Sequence, residues 1–387
     1  MKENWTYKKL GEVGTVIGGS TPKTDVPEFW NGDFAWITPA ELDGSKCVSS
    51  TIRTITEEAV KKTNLTLLPI GTVLLSSRAP IGKVCITKIP MYCNQGFKNI
   101  VCSDELNNEF LYWWLKGKSD FLNSLGVGAT FKEISKRIVE QIVIPVPPIE
   151  TQSRIVSELD LLQSIIDKQK AQLNELDNLA QAVFYDMFGD PIENEKGWEV
   201  TTIGNVCASK KDIKRAVKHF NAEDNISYID ISAIDNIRNV ITTPTPFQFR
   251  DAPSRAQQVV VMNDILISLV RPNLNNVAIV SNENNNLVAS SGFCVLRASK
   301  EIQTTFLFFI VKMKQFTDYL MSRVSGANYP AVREDDITGY RTILPPLSLQ
   351  QSFATKIESI EKQKAAITQS IAETQRLFDY TMDKYFG

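Results

Sequence analysis

QSRIVSELDLLQSIIDKQKAQLNELDNLAQAVFYDMFG, running from Gln152 to Gly189, decides the fold. No glycine or proline interrupts the chain between Pro148 and Gly189, and Ile155, Leu159, Leu162, Ile166, Gln169, Leu173, Leu176, Ala180, Val183 and Met187 follow alternating steps of four and three. That is a heptad seam. It returns 198 residues later as Phe353, Ile357, Ile360, Lys364, Ile367, Ile371, Thr374, Phe378, Thr381 and Tyr385, in the same register to Pro345-Pro346 as the first set to Pro147-Pro148. Gly189 lies 37 residues beyond Gln152, and Gly387 lies 37 beyond Gln350. At about 1.5 Å per residue each run is about 55 Å long. That exceeds a typical domain core, so the spacing predicts a coiled coil rather than one helix of a bundle. Leu159, Leu162, Ile166, Leu173, Leu176, Ile357, Ile360, Ile367 and Ile371 are the expected seam anchors. Gln169, Lys364, Thr374 and Thr381 break the apolar stripe; polar seam residues cost stability and fix register.

The recurrence extends outward from the helices. WTYKKLG (Trp5–Gly11) matches WEVTTIG (Trp198–Gly204) at an offset of 193, and Gly71–Pro80 matches Asn263–Pro272 at 192. Gly96-Phe97 matches Gly292-Phe293, and Phe110–Tyr112 matches Phe306–Phe308, both at 196. Gly128–Phe131 matches Gly326–Tyr329 at 198, the offset of the proline pairs. The order is kept and the offsets drift slowly, so the chain is two diverged copies of one unit.

Each copy opens with a globular part of mixed structure. Val73–Ser76, Val84–Ile86, Ile265–Ser268 and Val277–Val280 are short apolar runs between Gly, Asn, Asp and Pro, which reads as strand. Asn108–Leu115 and Thr305–Met313 read as buried helices. Each globular part closes on a strand and a double proline, Ile142–Pro148 and Thr342–Pro346. The expected class is α+β: two tandem mixed α/β domains, 1–148 and 191–347, each followed by a long helix, 149–190 and 348–387. Antiparallel pairing of the helices, with a globular part at each end, gives a pseudo-two-fold dumbbell.

Composition narrows the function. With 43% apolar and 22% charged residues the chain is ordinary globular protein, and 387 residues suggest two or three domains at about 100–200 each. No stretch reaches the ~18 apolar residues of a membrane span. The start, Met1–Leu10, lacks the apolar core of a secretory signal, so the expected compartment is the cytosol. The six cysteines form no Cys-x-x-Cys pair and read as reduced core residues. The single histidine, His219, sits in a basic segment, which disfavours a zinc site and a histidine-dependent nucleophile.

The net charge of −2 is unevenly spread. Residues 1–148 hold 17 Lys and Arg against 15 Asp and Glu, and residues 191–347 hold 17 against 16. Residues 149–190 hold 3 against 8, so the first helix is acidic and the globular parts are mildly positive. Any nucleic-acid role needs local basic faces on those parts. Lys210–Lys218 carries five positive charges in nine residues. Arg78, with Lys83 after it, and Arg271 follow equivalent strands. Gly18-Gly19-Ser20-Thr21-Pro22-Lys23 offers backbone N–H groups, hydroxyls and a cation, which suits phosphates or base edges. It is not a Walker loop. Gly126–Phe131 and Ser325–Tyr329 read as caps of the helices that follow. No Asn/Asp-Pro-Pro-Tyr/Phe motif, no Gly-x-Gly-x-x-Gly turn and no nuclease carboxylate cluster is found; Glu133–Lys136 alone is a weak match.

Two diverged globular parts, each followed by a heptad helix, resemble the specificity subunit of type I restriction–modification enzymes. Gly19–Lys23, Asn31–Thr38, Leu75–Gly82 and Asn94–Phe97 look like the first half of that family's target recognition domains. Ile144–Pro148 with Gln152, and Ile343–Pro346 with Gln350, look like its boundary into the spacer helices. Asp186–Gly189 and Tyr385–Gly387 look like the helix ends. The second copy lacks the Gly-Ser-Thr-Pro-Lys turn and the Gln-Gly-Phe form.

The resemblance implies a subunit with no catalytic site of its own. Each recognition domain reads half of a split, asymmetric target in double-stranded DNA, mainly in the major groove. The paired helices act as a ruler and dock two modification (methyltransferase) subunits that methylate adenine. Restriction (motor–nuclease) subunits join to cleave unmethylated DNA. This chain then binds no cofactor; S-adenosylmethionine, ATP and Mg2+ serve the partners. Lys23, Arg78, Lys83 and Lys98 in the first domain and Lys211, Lys214, Arg215 and Arg271 in the second are the expected DNA-facing residues. The rival readings are a coiled-coil scaffold without DNA recognition and a fused methyltransferase; the missing cofactor motifs disfavour the latter.

Overall fold

The computed structural model describes residues 5–78, 80–128, 132–281, 284, 286–324 and 330–387. Ala79, the tail of the first Gly-Ala loop (Ala129, Thr130, Phe131) and residues 325–329 of the second lie outside the described residues. The chain is α+β, in two compact units: Met1–Ala171 with Gln369–Gly387, and Gln172–Thr368. Both long helices, Ile149–Phe188 and Leu347–Phe386, are 40 residues long and are cut by the unit boundary. The units therefore do not coincide with the segments 1–148, 149–190, 191–347 and 348–387. Each holds a globular part, the root of its own helix and the far end of the other copy's helix.

In the first unit Val73–Leu75 lies in the middle of a five-stranded sheet, in the order Gly14–Gly18, Lys98–Cys102, Val73–Leu75, Val84–Thr87, Cys47–Val48. Every residue of that strand is buried, as an uninterrupted apolar run requires. A second sheet orders Arg53–Ile55, Trp30–Ile37, Tyr92–Cys93. The helix Asn108–Lys116 starts at Asn107, whose side chain accepts from the N–H groups of Glu109 and Phe110, a regular N-cap. Phe110 through Leu115 are all buried. Thr6–Lys9 pairs antiparallel with Val143–Val146, bringing the start of the globular part to the strand before the proline pair.

The second unit repeats this plan. Ile265–Ser268 lies between Val277–Ile279 and Phe293–Leu296, and a four-stranded sheet orders Thr245–Gln248, Asn225–Ile229, Leu287–Ser290, Ala256–Val259. Glu199–Thr202 pairs antiparallel with Arg341–Leu344. Gln303 caps the buried helix Thr304–Lys312 by accepting from the Phe306 N–H.

Within each unit the two helix segments run antiparallel. In the first, Arg154 donates to the Tyr385 hydroxyl at 3.0 Å, while Gln169 donates to the Ser370 hydroxyl at 2.7 Å. In the second, Lys364 pairs with Asp177 at 2.8 Å, and Phe353 meets Phe184 with ring centroids 5.6 Å apart. All the seam positions are buried or half-buried; between Asp167 and Leu179 only Gln169, Leu173 and Leu176 escape full exposure. The helix ends are deeper because aromatic clusters receive them. Phe386 sits edge-on to Phe110 at 5.4 Å, and Phe378 to Trp113 at 5.5 Å. Phe188 sits edge-on to Phe306 at 4.8 Å in the second unit. Phe110 and Phe306 are the repeat-related residues of the two core helices, so each core helix receives the terminal phenylalanine of the other copy's long helix.

Candidate nucleic-acid interface

In the first unit the Gly-rich turn is built onto the sheet. Ser20 donates its N–H to the Cys93 carbonyl at 3.0 Å. Two indoles brace the turn: Trp36 Nε1 donates to the Ser20 carbonyl and Trp30 Nε1 to the Lys23 carbonyl, both at 3.1 Å. A Cβ on Gly19 would lie 2.2 Å from the carbonyl oxygens of Cys93 and Asn94, so only glycine permits this approach. The Lys23 side chain is left exposed. Arg53 lays its guanidinium 3.5 Å from the Trp30 ring centroid, a cation–π contact beside the turn.

Arg78 lies at the exit of the central strand, and its Nε donates to Glu133 at 2.9 Å. Glu133 also accepts from Lys98 at 3.1 Å. Burial pushes the Glu133 carboxyl up, but the hydrogen bonds from Lys98 and Arg78 outweigh it and hold the group below its ordinary range. The strand exits correspond in the two units: Arg78 bridges Glu133, and Val270 bridges Ala331. Arg271 follows in an exposed left-handed conformation at φ 49°.

The second unit carries a more open basic surface. Lys211, Lys214, Arg215 and Lys218 line a cleft of about 890 Å³ with Gln257, Gln258, Ser291 and the acidic Glu334. All four cations are exposed, and none forms an ion pair with a described residue. The segment is stitched to the edge strand: Arg215 bridges Gln258, and Val259 donates its N–H to the Lys214 carbonyl at 2.9 Å. Gln258 Nε2 donates to the carbonyls of Ser290 and Phe293 at 3.0 and 2.9 Å, which holds its side chain in place. His219 is exposed, edge-on to Phe220.

The structure thus separates the expected DNA-facing residues. Lys23, Arg78, Lys211, Lys214, Arg215 and Arg271 lie on the surface. Lys83 is corrected to an internal tie: its ammonium donates to the Leu42 carbonyl at 2.8 Å and reaches that of Pro39 at 3.5 Å. Lys98 is corrected likewise, its side chain only 13% exposed and bonded to Glu133 and the Ser77 hydroxyl. Arg53 and Lys218 are surface cations outside the expected set. Lys218 stood in the basic run; no local pattern joins Arg53 to Trp30.

Four thiols are pushed well above their ordinary range by burial: Cys85 to about 11, and Cys93, Cys102 and Cys207 to about 12. They are uncharged at neutral pH and suited to packing rather than nucleophilic attack. Among the described residues no cluster of His, Cys, Asp and Glu is placed to hold a metal ion, and no helix is long and apolar enough to cross a membrane.

The type I restriction modification DNA specificity domain matches this chain twice, over residues 2–178 and 195–375. The type I restriction enzyme MjaIX specificity subunit of Methanocaldococcus jannaschii is 39% identical over 223 residues, covering 53% of this chain and 52% of that subunit. The chain thus spans about half the length of that relative. The MjaVIII specificity subunit of the same organism is 23% identical over 376 residues, covering 93% of this chain and 86% of that one. In fold, the S subunit of a type I restriction–modification system from M. genitalium matches 99% of this chain and 96% of its own at a TM-score of 0.58 and 14% identity. Two matches in tandem span most of the chain, and each falls on a globular part with the long helix that follows it. The chain therefore belongs to the family of type I restriction modification DNA specificity domains.

Proposed function

We propose that this chain is the sequence-reading subunit of a type I restriction–modification complex. Each unit reads one half of a bipartite asymmetric DNA target. The observation that carries this reading is the double match to the DNA specificity domain, one copy per globular part. Two sets of exposed cations support it: Lys23 and Arg78 with Arg53 in the first unit, and Lys211, Lys214, Arg215, Lys218 and Arg271 in the second. Phosphate contacts from such groups position the protein, and base edges in the major groove supply the sequence. The chain itself is non-catalytic. The long helices give two modification subunits their docking surface, and restriction subunits join that assembly. S-adenosylmethionine, ATP and Mg2+ are used by those partners, in the cytoplasm.

Modified-base sequencing of genomic DNA from hosts with and without the gene tests this directly. The expected result is a two-part motif methylated at adenine only when the gene is present. No gene-dependent motif, in a host where the chain co-purifies with a modification subunit, overturns the reading.

A further inference from the structure

The two most exposed large apolar side chains among the described residues are Ile237, at 91%, and Ile52, at 86%. They occupy equivalent places in the two units. Each lies in the connection after a short 3-10 helix, Pro39–Glu41 or Ile231–Ala233. The strand beyond, Arg53–Ile55 or Thr245–Gln248, pairs antiparallel with the long strand that precedes the 3-10 helix. In both copies the next residue is an exposed arginine, Arg53 or Arg238. In both, a carboxylate grips the isoleucine's backbone: Ile52 N–H donates to Glu41 at 2.8 Å, and Ile237 N–H to Asp235 at 3.0 Å. Asp235 also accepts from Arg238 N–H at 3.0 Å. Two asparagines tie the second loop to the strand exit that carries Arg271: Asn236 donates to the Leu274 carbonyl at 2.9 Å and Asn239 to that of Asn275 at 3.3 Å.

A single exposed isoleucine needs no explanation. The same exposed Ile-Arg pair, braced by a carboxylate at the matching place in two diverged copies, does. Its neighbours are Ser49, Ser50 and Thr51 in one unit and Asn236 and Asn239 in the other, so it is not part of an apolar patch. Protein-binding anchors sit inside a patch that excludes water. One aliphatic side chain among hydroxyls, amides and a guanidinium matches the minor groove of DNA, where Arg and Asn contact base edges and an apolar wedge enters a base step and kinks the duplex.

We propose that Ile52 and Ile237 are such wedges, each unstacking one base step in or beside its own half-site. The proposal rests on the DNA-reading function given above. The test uses the chain with the modification subunits it co-purifies with. Duplexes carry the motif found by modified-base sequencing, with 2-aminopurine placed in turn at positions other than the methylated adenine. Binding raises the fluorescence at one step near each half-site. Ile237→Ala abolishes the rise at one of them and Ile52→Ala at the other, each weakening binding about tenfold; Ile→Leu keeps both. A wild-type complex that binds with no rise at any such step, or a rise that survives both alanine variants, overturns the wedge and leaves DNA reading intact. A wild-type complex that binds no duplex overturns both.

Discussion

Gln152 and Gln350, 198 residues apart, make the same three hydrogen bonds. Each is fully buried. The Gln152 carbonyl accepts from Asn107 N–H at 2.8 Å, and its amide donates to the carbonyls of Glu105 and Pro147, both at 2.8 Å. Gln350 accepts from Gln303 N–H at 2.8 Å and donates to the carbonyls of Glu301 and Pro345 at 3.3 and 2.8 Å. In each unit one side chain thus ties the first turn of the long helix to the cap of the core helix and to the proline pair.

Gln152→Glu tests this tie. The carboxylate still accepts from Asn107 but cannot donate, leaving two buried carbonyls without partners. A loss of about 2–4 kcal/mol is expected in urea unfolding. A loss below about 0.5 kcal/mol would mean the tie is dispensable.

The unpaired cations of the second unit make a separate prediction. A Lys211→Ala, Lys214→Ala, Arg215→Ala triple variant removes exposed charges that hold nothing together, so its melting temperature stays at the wild-type value. The slope of log affinity for DNA against log salt falls by about 0.9 for each phosphate that is no longer neutralised. An unchanged slope removes this cleft from the interface.

Glu133 masks Arg78 and Lys98, which gives its replacement two readouts. Glu133→Gln is expected to tighten DNA binding and steepen its salt dependence, whereas Arg78→Ala weakens binding without lowering the melting temperature. A carboxyl held below its ordinary 4.5 stabilises the fold above that pH and loses its contribution as pH falls through the folded value. The stability gap between wild type and Glu133→Gln therefore closes on acidification below about 4.5. A gap that persists at pH 3 contradicts the ion-pair account.

Phe188 and Phe386 carry the helix ends into the aromatic clusters, 0% and 6% exposed. Replacing either with alanine is expected to cost about 3–5 kcal/mol by chemical denaturation. Leu161, 62% exposed on the same helix surface, serves as the control, with a change under about 0.5 kcal/mol on substitution to alanine.

The sequence made the helices legible because a seam repeating every 3.5 residues leaves a periodic trace from Ile155 to Met187 that no loop mimics. The proline pairs marked where each helix begins. A seam does not name its partner, so the exchange of helix ends was visible only once Phe188 and Phe386 were seen against Phe306 and Phe110. The basic run around Lys214 was legible because its charges are contiguous. Lys83 and Lys98 misled because their inward direction depends on the Leu42 carbonyl and on Glu133, both more than 30 residues away. The stack of Arg53 on Trp30 was hidden for the same reason: it is made by neighbouring strands, and no local spacing records it.

The exchange of helix ends also sets a timetable for synthesis. The second unit, residues 172–368, is one continuous stretch and is complete before the last helical turns are made. The first unit needs residues 369–387 against a globular part translated long before. At about 5–20 residues per second, Phe110 and Trp113 wait some tens of seconds for Phe386 and Phe378. Through that interval the nascent chain presents an unfilled aromatic socket, which makes the earlier-born half the one that calls on chaperones.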